Sequence, residues 1–166
     1  MASDIVRFAR TLSRDQFVER FTGMYLYVSS DPRDMPAGSF QTAVTGRAKD
    51  RADSGVPVAV QVIAIAKAPG NPYADRVSVG RTSNCDVVLR DPSVSKLHAH
   101  FRWDELGGLV LVDARSSNGT MVNGSTALPG VAEPLQSGDV VQFGDVRTTL
   151  LDGQGIYDAL QRVWPG

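Results

Sequence analysis

The chain has 166 residues, enough for one domain with some additional structure, and its 42% hydrophobic share permits a packed core. A net charge of -1 excludes a general nucleic-acid or anionic-membrane binder, which would be visibly basic. The single cysteine, Cys85, excludes an intrachain disulfide, no apolar run is long enough to span a bilayer, and the start lacks a signal-peptide pattern, so the expectation is a soluble cytoplasmic protein.

Residues 3–22 carry helical periodicity. Ser3 or Asp4 caps a first segment that places Ile5, Phe8, Ala9 and Leu12 on one side. Ser13 followed three residues later by Gln16 is a capping box, and Leu12 and Phe17 hold the positions of a hydrophobic staple around it. Phe17, Val18 and Phe21 continue the apolar stripe until Gly23 ends it. Met24-Tyr25-Leu26-Tyr27-Val28 is extended and apolar, and its aromatics belong to a core or a docking surface. Residues 29–57 are rich in Ser, Asp, Pro and Gly and then in charge, without an apolar period, and read as a mobile linker. Residues 1–57 are therefore expected to form a helical extension plus linker.

From Val58 the pattern changes. Val58 to Ile65 is a near-continuous β run, bounded by Pro57 and by Pro69-Gly70-Asn71-Pro72. Arg76 to Val79 alternates, Asp86 to Leu89 is short, and His98–Trp103 and Leu109–Asp113 flank a turn at Glu105 to Gly108. Met121-Val122-Asn123-Gly124 signals a tight hairpin. Val140 to Phe143 and Arg147 to Leu151 flank Gly144-Asp145. Short strands at regular spacing predict a mainly β fold, a sandwich or barrel over residues 58–152. Ile156, Tyr157, Leu160, Val163 and Trp164 recur at helical spacing, so residues 153–166 should close the chain with a short helix. Its apolar face and that of the N-terminal helices need cover, on the sandwich or on each other.

Three polar clusters fall where strands should end: Gly80-Arg81-Thr82-Ser83, Ser95-Lys96-Leu97-His98-Ala99 and Ser116-Ser117-Asn118-Gly119-Thr120. A guanidinium, an ammonium, hydroxyls and a carboxamide gathered at one end of a sheet form a seat for a tetrahedral anion. Arginine offers a planar fork of donors that fits phosphate, and lysine adds a point charge. Serine hydroxyls and free loop amides complete such a shell.

With Asn123-Gly124 and Gly138-Asp139 following in order, the stretch from about Val58 to Leu151 resembles a forkhead-associated (FHA) domain. That family is an antiparallel β-sandwich that binds phosphothreonine. The resemblance implies that Arg81 grips the phosphate and Ser95 ligates it through its hydroxyl. Lys96 stands where many members carry arginine, and it contacts phosphate or peptide, or points into solvent. Ser117 would help the phosphate shell and Asn118 would contact the ligand main chain. Gly80, His98 and Gly119 would support the site, His98 through ring bonds to backbone groups and Gly119 through a positive φ. The implied partner is a phosphothreonine-bearing protein, either a Ser/Thr kinase or its substrate. A competing expectation keeps the FHA fold as a phosphate-independent scaffold or oligomerisation piece.

Catalysis is not expected. Nucleotide-binding, zinc-protease and serine-hydrolase signatures are absent from the sequence, and Ser95 with His98 lacks a third triad member. Cys85, His98 and His100 lack the spacing of a zinc site, so no metal or cofactor is expected.

Overall fold

The computed structural model describes residues 2–30, 59–71 and 73–165. Of the expected linker at 29–57, all but Ser29 and Ser30 fall outside the described residues.

Two helices open the chain, α1 (Ala2–Thr11) and α2 (Arg14–Arg20). The cap between them is the one its sequence predicts. The Ser13 hydroxyl accepts from the Gln16 amide at 3.3 Å, and the Gln16 side chain accepts from the Ser13 amide at 3.1 Å. Strands follow: β1 (Met24–Ser29), β2 (Val60–Ala64), β3 (Val77–Gly80), β4 (Val87–Val88), β5 (Ala99–Trp103) and β6 (Leu109–Asp113). Then come β7 (Thr120–Val122), β8 (Ser125–Thr126), β9 (Ala132–Leu135), β10 (Val140–Phe143) and β11 (Val146–Asp152), and α3 (Gly153–Val163) closes the described chain.

The strands form two sheets, ordered β2-β1-β11-β10-β7-β8 and β4-β3-β5-β6-β9. Pairing is antiparallel except for a short parallel contact between β3 and β4, where Val79 faces Val87. Between the sheets lie Leu26, Val79, Phe101, Leu111, Val141, Phe143 and Leu150, all fully buried. Phe101 and Phe143 meet edge to face at 6.3 Å. Asn123 and Gly124 take positive φ (50° and 84°) and close the β7–β8 hairpin as their sequence predicts.

β1 comes from the stretch read above as part of the N-terminal extension. It sits inside the first sheet, with Leu26 opposite Ile63 of β2 on one side and Leu150 of β11 on the other. A boundary after residue 57 would separate two strands that are hydrogen-bonded to each other. The physical reason is that β1 is covered on both faces. Leu26 enters the core between the sheets, while Tyr27 joins a second core outside them.

That second core lies under the helices. Ile5, Ala9 and Phe17 meet Ile156, Ala159 and Leu160 of α3 over Tyr27 and Val62 of the sheet. Gln161 donates to the Ala9 carbonyl at 2.7 Å, and Arg14 forks onto Asp158 at 3.0 and 3.1 Å. A Cβ on Gly153 would lie 2.1 Å from the Phe21 carbonyl, so α3 starts against the end of α2. No helix among the described residues is long and apolar enough to cross a membrane.

Candidate functional site

β3 ends on Gly80, where backbones approach closely. A Cβ there would lie 2.1 Å from the Lys96 carbonyl oxygen and 2.7 Å from the Cys85 sulfur. This closeness lets Arg81 bind the next loop twice. Its amide donates to the Ser95 carbonyl and its Nε to the Val94 carbonyl, each at 3.0 Å. The terminal guanidinium nitrogens, on an exposed side chain, have no partner among the described residues.

Ser95 opens the second cluster. Its hydroxyl oxygen accepts from the Ser117 amide at 3.0 Å, which joins the second and third loops and leaves its own O–H free to donate. The Lys96 carbonyl accepts from the Thr82 hydroxyl at 3.0 Å, and the exposed Lys96 ammonium has no partner among the described residues. Asn118 donates through Nδ2 to the Ser93 carbonyl at 2.8 Å, so its Oδ1 stays open as an acceptor. Ser117 is exposed at the rim, and Gly119 takes φ 80° in the turn back to β7.

His98 holds the loops together and is fully buried. The Ser95 amide can only donate, so His98 Nδ1 accepts at 3.1 Å. The ring proton therefore sits on Nε2 and is given to the Gly119 carbonyl at 3.0 Å. The backbone of the same residue donates to the Val79 carbonyl and accepts from the Ala114 amide. One residue thus ties the end of β3 to both other loops. Burial pushes the His98 pKa below the ordinary histidine value, despite the opposing pull of the Gly119 carbonyl and the Asp113 charge. With both ring nitrogens engaged by backbone groups, the neutral ring has no free position for a metal or a proton transfer. Among the described residues no three His, Cys, Asp or Glu side chains gather to hold a metal.

Two supporting residues were not singled out from sequence. Asp113 ends β6, nearly fully buried, and its carboxylate accepts from the Ser116 amide (3.0 Å), the Ser116 hydroxyl (2.6 Å) and the Thr120 hydroxyl (2.6 Å). Burial alone would raise its pKa, and these hydrogen bonds lower it overall. Ser93 accepts at its carbonyl from Asn118 and at its hydroxyl from the Asp145 amide (2.8 Å), while it donates to Asp91 at 2.7 Å. An aspartate two residues before a serine at a turn, and one three residues before another, were the available signals.

The eight sequence-picked residues thus share one end of the sandwich. Arg81, Ser117 and Asn118 each bond to the segment 93–95, although 81, 95 and 118 belong to three separate loops. No ion pair to a carboxylate among the described residues claims Arg81 or Lys96. The result is a cradle with two open cations, open hydroxyls and an amide acceptor, suited to a tetrahedral anion with an adjoining polypeptide.

Residues 77–144 match the model of the FHA domain. The chain belongs to the FHA-domain family. The matched stretch holds β3 to β10 and leaves out the helices, β1, β2 and β11. The oxoglutarate dehydrogenase inhibitor of Corynebacterium glutamicum is 41% identical over 76 residues, covering 46% of this chain and 50% of that protein. The glycogen accumulation regulator GarA of Mycolicibacterium smegmatis is 42% identical over 76 residues, covering 46% of each chain. The chain thus spans about half the length of the curated relatives it matches. The solved MEK1 FHA domain in complex with a HOP1 phosphothreonine peptide is 30% identical, covers 55% of this chain and 88% of that one, and has a TM-score of 0.44.

Proposed function

We propose that this FHA domain binds phosphothreonine peptides and mediates phosphorylation-dependent contact with a protein of a Ser/Thr kinase pathway, either the kinase or its substrate. The observation that carries the reading is the meeting of three loops on residues 93–95 with the phosphate-binding groups left unpaired. The Arg81 guanidinium grips the phosphate with its terminal nitrogens. Ser95 donates its hydroxyl, and Lys96 and Ser117 complete the shell. Asn118 Oδ1 accepts from a main-chain N–H beside the phosphothreonine. Gly80, His98 and Gly119 hold these groups in place.

The role is binding, not turnover. His98 is locked in one tautomer by backbone groups, which suits a strut and not a general base. The named relatives are an inhibitor and a regulator, which agrees with a module that acts by association. We place the protein in the cytoplasm.

Isothermal titration with a peptide drawn from a degenerate phosphothreonine library tests this. The phosphothreonine form should bind, its unphosphorylated and phosphoserine forms should bind far less, and Arg81→Ala should cost about 2–4 kcal/mol. Equal affinity for phosphorylated and unphosphorylated peptide would end the proposal.

A further inference from the structure

The sequence holds four asparagines: Asn71, Asn84, Asn118 and Asn123. An asparagine can lose its amide without any enzyme. Hydroxide removes the amide proton of the following residue, and the nitrogen attacks the side-chain Cγ. The Cγ–Nδ2 bond then breaks and ammonia leaves. Water opens the resulting succinimide ring to aspartate or isoaspartate. The step needs an unengaged amide on the next residue and a side chain able to swing toward it.

The four positions differ on these terms. Asn71 precedes Pro72, which has no N–H to lose. Asn84 precedes buried Cys85, whose amide donates to the Thr82 carbonyl at 3.1 Å. Two Asn-Gly pairs remain. The amides of Gly119 and Gly124 have no hydrogen-bond partner among the described residues, and a Cβ on either would meet nothing within 4 Å, so both turns are open to water. The asparagine side chains are held differently. Asn123 is tethered at both ends, with Nδ2 donating to the Asp139 carboxylate at 3.0 Å and Oδ1 accepting from the Val140 amide at 2.9 Å. Asn118 is exposed and tethered at one end, by the Nδ2 bond to the Ser93 carbonyl at 2.8 Å. To reach the glycine amide, Asn118 gives up one bond and Asn123 two, one of them to a carboxylate. One bond fewer lowers the barrier enough for about a ten-fold difference in rate.

The product damages the cradle. Aspartate or isoaspartate at 118 has no N–H for the Ser93 carbonyl, so two acceptors face each other where a hydrogen bond stood. Its new charge stands at the rim of a seat for an anion, where like charge repels. Isoaspartate also adds a methylene to the main chain between Ser117, whose amide binds the Ser95 hydroxyl, and Gly119, whose carbonyl takes the His98 proton. The junction of the loops then no longer fits. A bound peptide works the other way. Its main-chain N–H on Asn118 Oδ1 supplies the second tether that Asn118 lacks and Asn123 has.

We propose that Asn118-Gly119 is a site of spontaneous deamidation, which retires the unoccupied domain from phosphopeptide binding and is blocked while a phosphopeptide is bound. The choice of Asn118 over Asn123 rests on the loop geometry alone. The loss of binding and the protection rest on the phosphopeptide reading above.

The test ages the full chain at mildly alkaline pH and maps its peptides by mass spectrometry with isoaspartate detection. Asn118 should convert about ten-fold faster than Asn123. Conversion at Asn118 no faster than at Asn123 overturns the site. The same ageing under a saturating library-selected phosphothreonine peptide should slow Asn118 by about ten-fold and leave Asn123 unchanged, and an unslowed Asn118 overturns the protection. Anion exchange then separates the acidic product. That fraction, and Asn118→Asp made directly, should bind the peptide at least about ten-fold more weakly than unaged protein. An acidic fraction of undiminished affinity overturns the inactivation. Unaged protein that binds no phosphopeptide overturns the phosphopeptide reading instead, and the comparison of Asn118 with Asn123 still decides the modification site.

Discussion

Removing the His98 ring should damage stability more than any other single change at the site. In the folded protein the ring is fully buried, accepts from the Ser95 amide and donates to the Gly119 carbonyl. His98→Ala strands both backbone groups, at about 1–3 kcal/mol for each one left without a partner. It also empties the space against Phe143, whose ring lies 5.7 Å away. The expected total is about 3–5 kcal/mol, measured by guanidinium unfolding at pH 7.5. The same residue sets a pH dependence. Unfolded, His98 and His100 take up protons near the ordinary value of about 6.5. Folded, burial holds both below it, with Arg76 and Arg102 adding to the effect at His100. As pH falls below about 6.5 the unfolded state binds more protons, so stability present above that pH is lost progressively toward the folded pKa values. Calorimetric Tm should therefore drop between pH 7 and pH 5, and His98→Gln should flatten that drop. A loss under about 1 kcal/mol for His98→Ala, or an unchanged slope in His98→Gln, would refute the strut assignment.

Three further outcomes follow from packing. Gly80→Ala places a Cβ 2.1 Å from the Lys96 carbonyl, so unfolding midpoints should fall and phosphopeptide affinity should fall with them, because the Arg81 and Ser95 loops must separate. Phe17→Ala should cost about 3–5 kcal/mol in urea unfolding, since this fully buried ring joins the helices to α3, and a cost under about 1 kcal/mol would show that the helical layer adds little to the fold. Arg115 holds a positive φ of 60° without being glycine or asparagine, so Arg115→Gly should raise stability by up to about 1 kcal/mol, and a lowered Tm would contradict that strain.

The parts legible in the sequence were those decided by near neighbours. The cap at α2 needs only Ser13 and Gln16, and the β7–β8 turn needs only Asn123-Gly124. The site residues stood out because each cluster combines turn chemistry with phosphate-binding groups at a strand end. What the sequence concealed depends on distant contacts. Ser93 draws its role from Asn118 and Asp145, 25 and 52 residues away. β9 was hidden by Pro134, which removes a donor and reads as a break, yet an edge strand tolerates it, and β9 borders only β6. β1 carries apolar residues on both faces, a pattern that marks burial without saying between which partners. The parallel contact of β3 with β4 has no local signature at all.

The convergence of three loops on one phosphate is tested most directly by mapping backbone amide shifts in 15N-labelled protein as a phosphothreonine peptide is added. The amides of Arg81, Ser95, Lys96, Ser117 and Asn118 should move together along one binding curve, and the unphosphorylated peptide should leave them still. Shifts confined to another face, or the same shifts with either peptide, would contradict the account.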